Sequence, residues 1–222
     1  MCFSAEASFA GGLVITAIGI VAVSKVKDRK KLLFASIPLF FGAQQFIEGF
    51  IWLLIPHSEY LLYQKICANL YLVFAHALWP LFIPLAVLLM EENVRKIRIL
   101  RIITGLGFVL SIFYVSCLFI YKVTPQVNCY HMLYDSDFPL ILSNSALLFY
   151  LICAFTPFYI SSIKRIRVMG NLMLISCIIA VIFFTIYLTS VWCFFAALIS
   201  AVVLWIIKEP KSKAEPADQL GI

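Results

Sequence analysis

Residues 40–54 read FFGAQQFIEGFIWLL, an apolar run that contains a single carboxylate, Glu48. The run lies within the apolar stretch Leu32–Ile55, and a helix needs about 20 such residues to cross the hydrocarbon core of a bilayer. A charged side chain at the centre of that core costs about 3 kcal/mol unless it faces the interior of a helix bundle. We therefore predict a membrane-spanning helix with a polar group buried against its neighbours.

The whole chain has the composition of a multi-pass membrane protein. Of its 222 residues, 64% are hydrophobic and 13% are charged, and the mean hydropathy is +1.03. These values exclude soluble globular, collagen-like and disordered proteins and small disulfide scaffolds. Seven apolar runs are long enough to span a membrane: Phe9–Val26, Leu32–Ile55, Ile66–Met90, Ile102–Tyr121, Leu140–Ile163, Asn171–Thr189 and Val191–Ile207.

From these runs we predict an all-α fold, a seven-transmembrane-helix bundle that forms one domain over residues 1–207. Only Thr189 and Ser190 separate the last two runs, so we expect a tight helical hairpin at that point. The tail over residues 208–222 is charged, contains proline and lacks aromatic residues. Because such a segment cannot bury apolar surface, we expect the tail to be disordered.

The basic residues predict the orientation of the bundle. Fifteen of the 17 Lys and Arg residues follow the odd-numbered spans, in clusters that begin at Lys25, Arg95, Lys164 and Lys208. The positive-inside rule then places the N-terminus outside and the tail in the cytoplasm, in a cell inner membrane. The net charge of +6 is thus a topology signal, and we expect membrane lipids rather than nucleic acid as partners.

Polar side chains gather on one face of the second predicted span. Gln44 and Gln45 lie four and three residues before Glu48, and Trp52 lies four residues after it. Residues three or four apart share a helical face, so these side chains form one polar strip. Gly49 beside Glu48 permits close approach of another helix or a ligand.

The third predicted span offers a partner for this strip. Asn69 and His76 are seven residues apart and share a helical face, and Pro80 and Pro84 bend the helix just beyond them. Because the second and third spans are antiparallel across a short loop, their depths from the outer end bring Glu48 and His76 within reach of each other. We therefore expect a buried polar site that opens toward the outer side.

A buried Glu and His can ligate a metal, act as a general acid and base, or relay protons. We predict an enzyme or binding protein that acts on or binds a lipid or small amphipathic molecule. The predicted catalytic residues are Glu48 and His76, and the predicted substrate-binding residues are Gln44, Gln45, Trp52, Asn69, Trp79 and Trp192. The alternatives are a proton-coupled transporter or channel that uses Glu48, and a structural or partner-binding protein in which these groups only fix helix packing.

The N-terminus could complete a metal site. Removal of Met1 would expose both the amine and the thiol of Cys2, which together are a good metal ligand. A divalent metal such as zinc, held by Glu48, His76 and Cys2, is therefore one hypothesis for a cofactor. The spacing of the seven cysteines shows no CxxC or CxxH motif, and a disulfide between Cys67 and Cys129 remains open.

The connection between the fourth and fifth predicted spans, VTPQVNCYHMLYDSDFP at residues 123–139, admits two interpretations. A solvated loop is the favoured interpretation, and a lid folded over the bundle is the alternative. Its side chains His131, Asp135 and Asp137 are polar in both cases.

Four segments resemble one family of proteins: MCFSAEASF at residues 1–9, QQFIEGFIW around Glu48, FAHALWPLFIPLAV around His76 and SVWCFFAAL around Cys193. The chain resembles a family of small bacterial seven-span membrane proteins of unknown function, over nearly its whole length. The resemblance implies the seven-span architecture and no reaction. The matched motif positions are Cys2, Glu48, His76, Trp79, Pro80, Trp192 and Cys193.

Two better-known seven-span classes do not fit the sequence. A retinal protein requires a lysine in its last span for the Schiff base, and Val191–Ile207 contains none. Membrane hydrolases of the alkaline ceramidase type hold zinc with three histidines, two of them as HxxxH. The histidines of this chain are His57, His76 and His131, which form no such motif.

Overall fold

The structure is a computed structural model that describes residues 4–128 and 131–208. Cys2, Cys129 and the tail from residue 209 onward lie outside the described residues, so the predictions for Cys2 and for the tail stay predictions. Cys67, which could pair with Cys129, has a free thiol.

The described chain is mostly helical, as the composition predicts. Its α-helices are α1 Ala5–Ser24, α2 Leu32–Ala35, α3 Ile37–Leu54, α4 Leu61–Leu72, α5 Trp79–Met90, α6 Val94–Ile120, α7 Leu140–Ile160, α8 Lys164–Phe183, α9 Leu188–Ile199 and α10 Val202–Ile207. A π-helical turn over Val73–Leu78 joins α4 directly to α5. The strands β1 Val123–Asn128 and β2 His131–Ser136 lie between α6 and α7.

Six helical segments of the described chain are long and apolar enough to cross a membrane: Ala5–Ser24, Arg29–Leu54, Ser58–Met90, Val94–Ile120, Lys164–Phe183 and Thr185–Ile207. The apolar part of α7, Ser145–Ile160, is shorter. Large apolar side chains cover the outside of the bundle, and Phe119 and Phe183 are 88% and 72% exposed. Such an apolar exterior is stable in lipid and unfavourable in water, so the fold is that of a multi-pass membrane protein.

The basic clusters meet at one end of the bundle, which we term the basic end. Lys30 pairs with Glu92 across 4.0 Å, which joins the α1–α2 connection to the α5–α6 connection. Glu91 accepts hydrogen bonds from Ser162 in the α7–α8 connection. The guanidinium group of Arg165 donates to the main-chain carbonyl of Trp205 at 2.9 Å and lies 4.5 Å from its ring centre, which brings α10 to the same end.

The strands form an antiparallel hairpin at the opposite end, which we term the hairpin end. Val123 pairs with Ser136, and the register continues to Asn128 and His131. Tyr134 of β2 stacks on Tyr71 of α4 with ring centres 4.8 Å apart. Val123 and Met132 are buried in a cluster with α4 residues. The 123–139 segment therefore packs on the bundle, as the lid interpretation expects, and it adds a strand pair to an otherwise helical fold.

The connection between α8 and α9 lies a few residues earlier in the sequence than predicted. α8 ends at Phe183, Phe184 leaves helical geometry with φ −136° and ψ 35°, and a 3-10 turn over Thr185–Tyr187 leads into α9. Thr189 and Ser190, predicted as the turn, therefore lie in the first turn of α9. The apolar pattern runs without interruption through Phe184, so hydropathy alone does not locate the break.

Candidate functional site

The π-helical turn places His76 where the helix widens. In a π-helix each N–H bonds to the carbonyl five residues earlier, so Pro80, which has no N–H, leaves the carbonyl of Ala75 without a main-chain donor. The hydroxyl of Tyr150 in α7 donates to that carbonyl at 2.9 Å. The hydroxyl of Ser111 in α6 donates to the carbonyl of Ala77 at 2.5 Å. Side chains from two other helices thus stabilise the turn, and such turns recur at functional sites.

A cavity of about 400 Å³ lies beside this turn. Its wall is formed by the π-helical turn, α6, α7 and the N-terminal part of α9, and the hairpin covers it at the hairpin end. Leucine, isoleucine and phenylalanine side chains give it apolar surface. Polar groups on the wall come from the helices and from the hairpin: His76, Tyr114, Cys117, Tyr121, Tyr134, Asp135, Ser136, Tyr150, Thr185, Thr189 and Cys193. The volume is within the range of cavities that bind small molecules, about 300–1,000 Å³.

His76 is half-buried on the cavity wall. Its ring stacks on that of Tyr114 with centres 5.3 Å apart, and its Nε2 lies 3.5 Å from the hydroxyl of Thr189. The direction of the hydrogen bond depends on which ring nitrogen carries the proton. The imidazole can therefore donate a hydrogen bond to a molecule in the cavity or accept one from it.

Glu48 lies behind the cavity wall and is fully buried. Its Oε1 accepts a hydrogen bond from the hydroxyl of Ser190, the residue that follows Thr189 in α9. Its Oε2 has no hydrogen-bond partner among the described residues. Glu48 and His76 form no hydrogen bond or ion pair with each other in the described structure, and the first turn of α9 lies in contact with both.

The polar strip on α3 is buried as predicted. Gln44 and Gln45 are 0% and 1% exposed. The amide oxygen of Gln44 accepts a hydrogen bond from the indole nitrogen of Trp79 at 3.1 Å. The amide nitrogen of Gln44 and both amide atoms of Gln45 lack hydrogen-bond partners among the described residues. The thiol of Cys193 faces Gln44 and Tyr71 as well as the cavity, so it lies between the strip and the cavity.

Of the other predicted binding residues, some lie on the cavity wall and the others lie away from it. Trp192 lies on the cavity wall, and its indole nitrogen has no partner in the described structure. Trp79 meets Trp192 at a second, smaller cavity of about 20 Å³. Trp52 and Asn69 do not line the main cavity; they pack at α3 and α4, each with a polar atom that no described group satisfies.

The described residues do not assemble a metal site. In residues 4–128 and 131–208, no group of three or more His, Cys, Asp and Glu side chains lies close enough to hold a metal ion. The hypothesis of a metal at Glu48, His76 and Cys2 requires Cys2, which lies outside the described residues, and it stays a prediction.

Four contributors to the site were not predicted from the sequence: Tyr114, Tyr150, Thr189 and Ser190. The two tyrosines could have been identified from the sequence, because each lies well inside an apolar helix, where a hydroxyl group requires a hydrogen-bond partner or a polar cavity. Thr189 and Ser190 could not have been identified in this way, since the same two residues equally suit a turn.

Comparison with known proteins places the chain in a family without assigning a reaction. No curated protein and no solved structure matches it. A family model described as "Family of unknown function (DUF6629)" matches residues 1–219, which is nearly the whole sequence. This agrees with the resemblance to a family of unknown function. The chain belongs to this family, DUF6629.

Proposed function

We propose that this protein is a seven-span inner-membrane protein that binds a small amphipathic molecule in the cavity beside His76. The observation that carries the proposal is the cavity itself, about 400 Å³ in volume, with both apolar side chains and polar groups on its wall. Such a mixture suits a ligand with an apolar body and a polar group, because the few polar contacts fix its orientation.

His76 is one of the contacts that we assign to the ligand. Its ring is held by Tyr114 and Thr189, so it enters a complex with little loss of side-chain freedom. No described carboxylate forms an ion pair with His76, so the geometry supports ligand binding more directly than acid–base catalysis by Glu48 and His76. We assign Glu48 to positioning α9 through Ser190.

The proposed orientation of the protein in the membrane follows from the positions of the basic residues. If the basic end faces the cytoplasm, the hairpin end and the cavity beneath it face the outer side of the membrane. The ligand would then enter from the outer leaflet or from the outer aqueous phase, past the hairpin.

A thiol on the cavity wall provides the test. Cys117 lines the cavity, whereas Cys67 is a free thiol of similar burial outside it. The protein, purified in dodecyl maltoside, is treated with N-ethylmaleimide, and labelling of each cysteine is followed by peptide mass spectrometry. The probes are 1-hexanol, hexyltrimethylammonium and hexyl sulfate. We expect at least one probe to slow labelling of Cys117 and leave the rate at Cys67 unchanged.

A matched pair of substitutions checks that protection arises in the cavity. Leu147 lines the cavity, whereas its neighbour Leu148 does not and is 59% exposed on the outside of α7. Leu147→Trp fills part of the cavity and is expected to remove the protection, while Leu148→Trp retains it. Equal labelling of Cys117 with and without every probe would rule out the proposed function.

A further inference from the structure

We propose that the ligand of this cavity is a small cationic amphiphile with an ammonium head group. The inference rests on the proposed function and concerns the chemical class of the ligand. It rests on the aromatic rings and the charged residues around the cavity.

Aromatic side chains from several elements line the cavity. The residues are Tyr114, Tyr121, Tyr134, Phe138, Tyr150 and Trp192. Several of these rings hold one another in place: Tyr121 meets Phe138 edge to face at 5.2 Å, and Tyr150 meets Trp192 in the same way at 5.8 Å. Fixed aromatic rings around a cavity attract a cation through their negative faces, and quaternary ammonium groups are bound in this way.

The charge on the cavity wall has the sign that such a ligand requires. Asp135 of β2 is the one acidic residue among the described residues that line the cavity, and no Lys or Arg is among them. Lys122 lies at the base of the hairpin, where its carbonyl accepts from the main-chain N–H of Asp137, but it does not line the cavity. An anionic head group would therefore meet a carboxylate without a compensating cation.

The arrangement also indicates how the ligand lies. Asp135 and three of the rings, those of Tyr121, Tyr134 and Phe138, belong to the hairpin end of the cavity. The wall near α7 and α9 is apolar at Leu147 and Leu188. We infer that the ammonium group lies beneath the hairpin and that the apolar part extends into the bundle toward Trp192.

The test is the Cys117 protection assay at fixed ionic strength, and it compares probes whose head groups differ in charge. The probes have the same hexyl chain and differ in the head group. We expect hexyltrimethylammonium to reach half-maximal protection at a concentration about three- to tenfold below that of 1-hexanol. Hexyl sulfate is expected to protect least, because its charge repels that of Asp135.

Two matched pairs of variants locate the head group. Asp135→Asn is expected to raise the half-protection concentration of hexyltrimethylammonium about threefold and leave that of 1-hexanol unchanged. Asp137→Asn removes the same charge two residues away, off the cavity wall, and is expected to change neither. Tyr121→Leu removes a ring and is expected to weaken protection by the ammonium probe, whereas Tyr121→Phe keeps the ring and retains protection.

The outcomes separate this inference from the function on which it rests. If 1-hexanol or hexyl sulfate protects Cys117 as well as the ammonium probe does, the cavity binds amphiphiles but the cationic class is wrong. Equal effects of Asp135→Asn and Asp137→Asn would overturn the placement of the head group. If none of the three probes protects Cys117, the proposed function fails and this inference fails with it.

Discussion

The hydroxyl of Ser190 donates a hydrogen bond to the buried carboxyl group of Glu48. Ser190 is the neighbour of Thr189, whose hydroxyl lies 3.5 Å from Nε2 of His76. One turn of α9 therefore connects the carboxyl group of α3 to the imidazole of the cavity wall. A change at Glu48 can therefore reach the cavity through the position of this turn, since no hydrogen bond or ion pair joins Glu48 to His76 in the described structure.

Loss of the Ser190 hydroxyl is expected to destabilise the fold. Ser190→Ala leaves a fully buried carboxyl group with less hydrogen bonding, which costs about 1–3 kcal/mol. The free energy of unfolding can be measured by titration with sodium dodecyl sulfate in mixed micelles. Ser116→Ala is the control, since the Ser116 hydroxyl is exposed and bonds only to its own helix, and it is expected to change stability by less than about 0.5 kcal/mol. Equal effects of the two substitutions would contradict the role given to Ser190.

The Tyr150 hydroxyl is expected to stabilise the π-helical turn because Pro80 removes the main-chain donor. Tyr150→Phe should lower the free energy of unfolding by about 1 kcal/mol, the value of a typical buried hydrogen bond. Pro80→Ala restores an N–H near the carbonyl of Ala75. The loss caused by Tyr150→Phe should therefore be smaller in the Pro80→Ala background, which a double-mutant cycle measures. Additive effects would show that Pro80 and Tyr150 act independently.

Much of the fold could be predicted from the sequence, because the membrane requires apolar runs of a certain length. The runs containing Glu48 and His76 correspond to helical segments that are long and apolar enough to span a membrane. The burial of the α3 strip also followed from sequence, since Gln44, Gln45 and Glu48 share one helical face. The meeting of the basic clusters at one end agrees with the alternation of Lys and Arg between connections.

The arrangement of the site could not be predicted, for physical reasons that differ between residues. The depths of Glu48 and His76 suggested that they meet, but depth leaves the rotation of each helix free. The π-helical turn changes that rotation at His76. The carbonyl of Ala75, which Pro80 leaves without a main-chain donor, accepts a hydrogen bond from Tyr150, which is far away in the sequence. Polar and apolar residues alternate only weakly along the two strands of the hairpin. The sequence therefore does not distinguish a lid from a solvated loop, and the contacts with α4 do.

Gly107 of α6 is expected to tolerate no larger side chain. A Cβ atom at this position would overlap the carbonyl oxygen of Pro80, which belongs to the backbone of α5. Gly107→Ala should therefore push α6 away from α5 and destabilise the protein by about 1–3 kcal/mol. Gly105→Ala is the control in the same helix, because no atom lies within 4 Å of its added Cβ. It should be neutral or stabilising by up to about 1 kcal/mol in the same titration. A neutral result for Gly107→Ala would show that the two helices separate at no cost.

Glu91 is expected to make the basic end of the bundle sensitive to acid. Its carboxylate accepts from the hydroxyl and the main-chain N–H of Ser162, both at 2.7 Å, and from the N–H groups of Glu92 and Asn93. Burial alone would raise the pKa of Glu91, but these hydrogen bonds together lower it below its ordinary value of 4.5. A lowered carboxyl pKa adds stability above the unfolded value, and that stability is lost as the pH falls through the folded value.

Glu91→Gln should therefore reduce the free energy of unfolding by about 1.5–3 kcal/mol near neutral pH, because hydrogen bonds to a charged acceptor are the stronger ones. The difference between wild type and variant should shrink as the pH falls below about 4.5, where protonation of Glu91 removes the advantage of the wild type. Glu92→Gln is the control, since the Glu92 side chain is 85% exposed and meets Lys30 only at 4.0 Å. Unfolding titrations at a series of pH values measure all three proteins. A pH-independent gap between wild type and Glu91→Gln would mean that Glu91 acts through packing and that its charge adds nothing to stability.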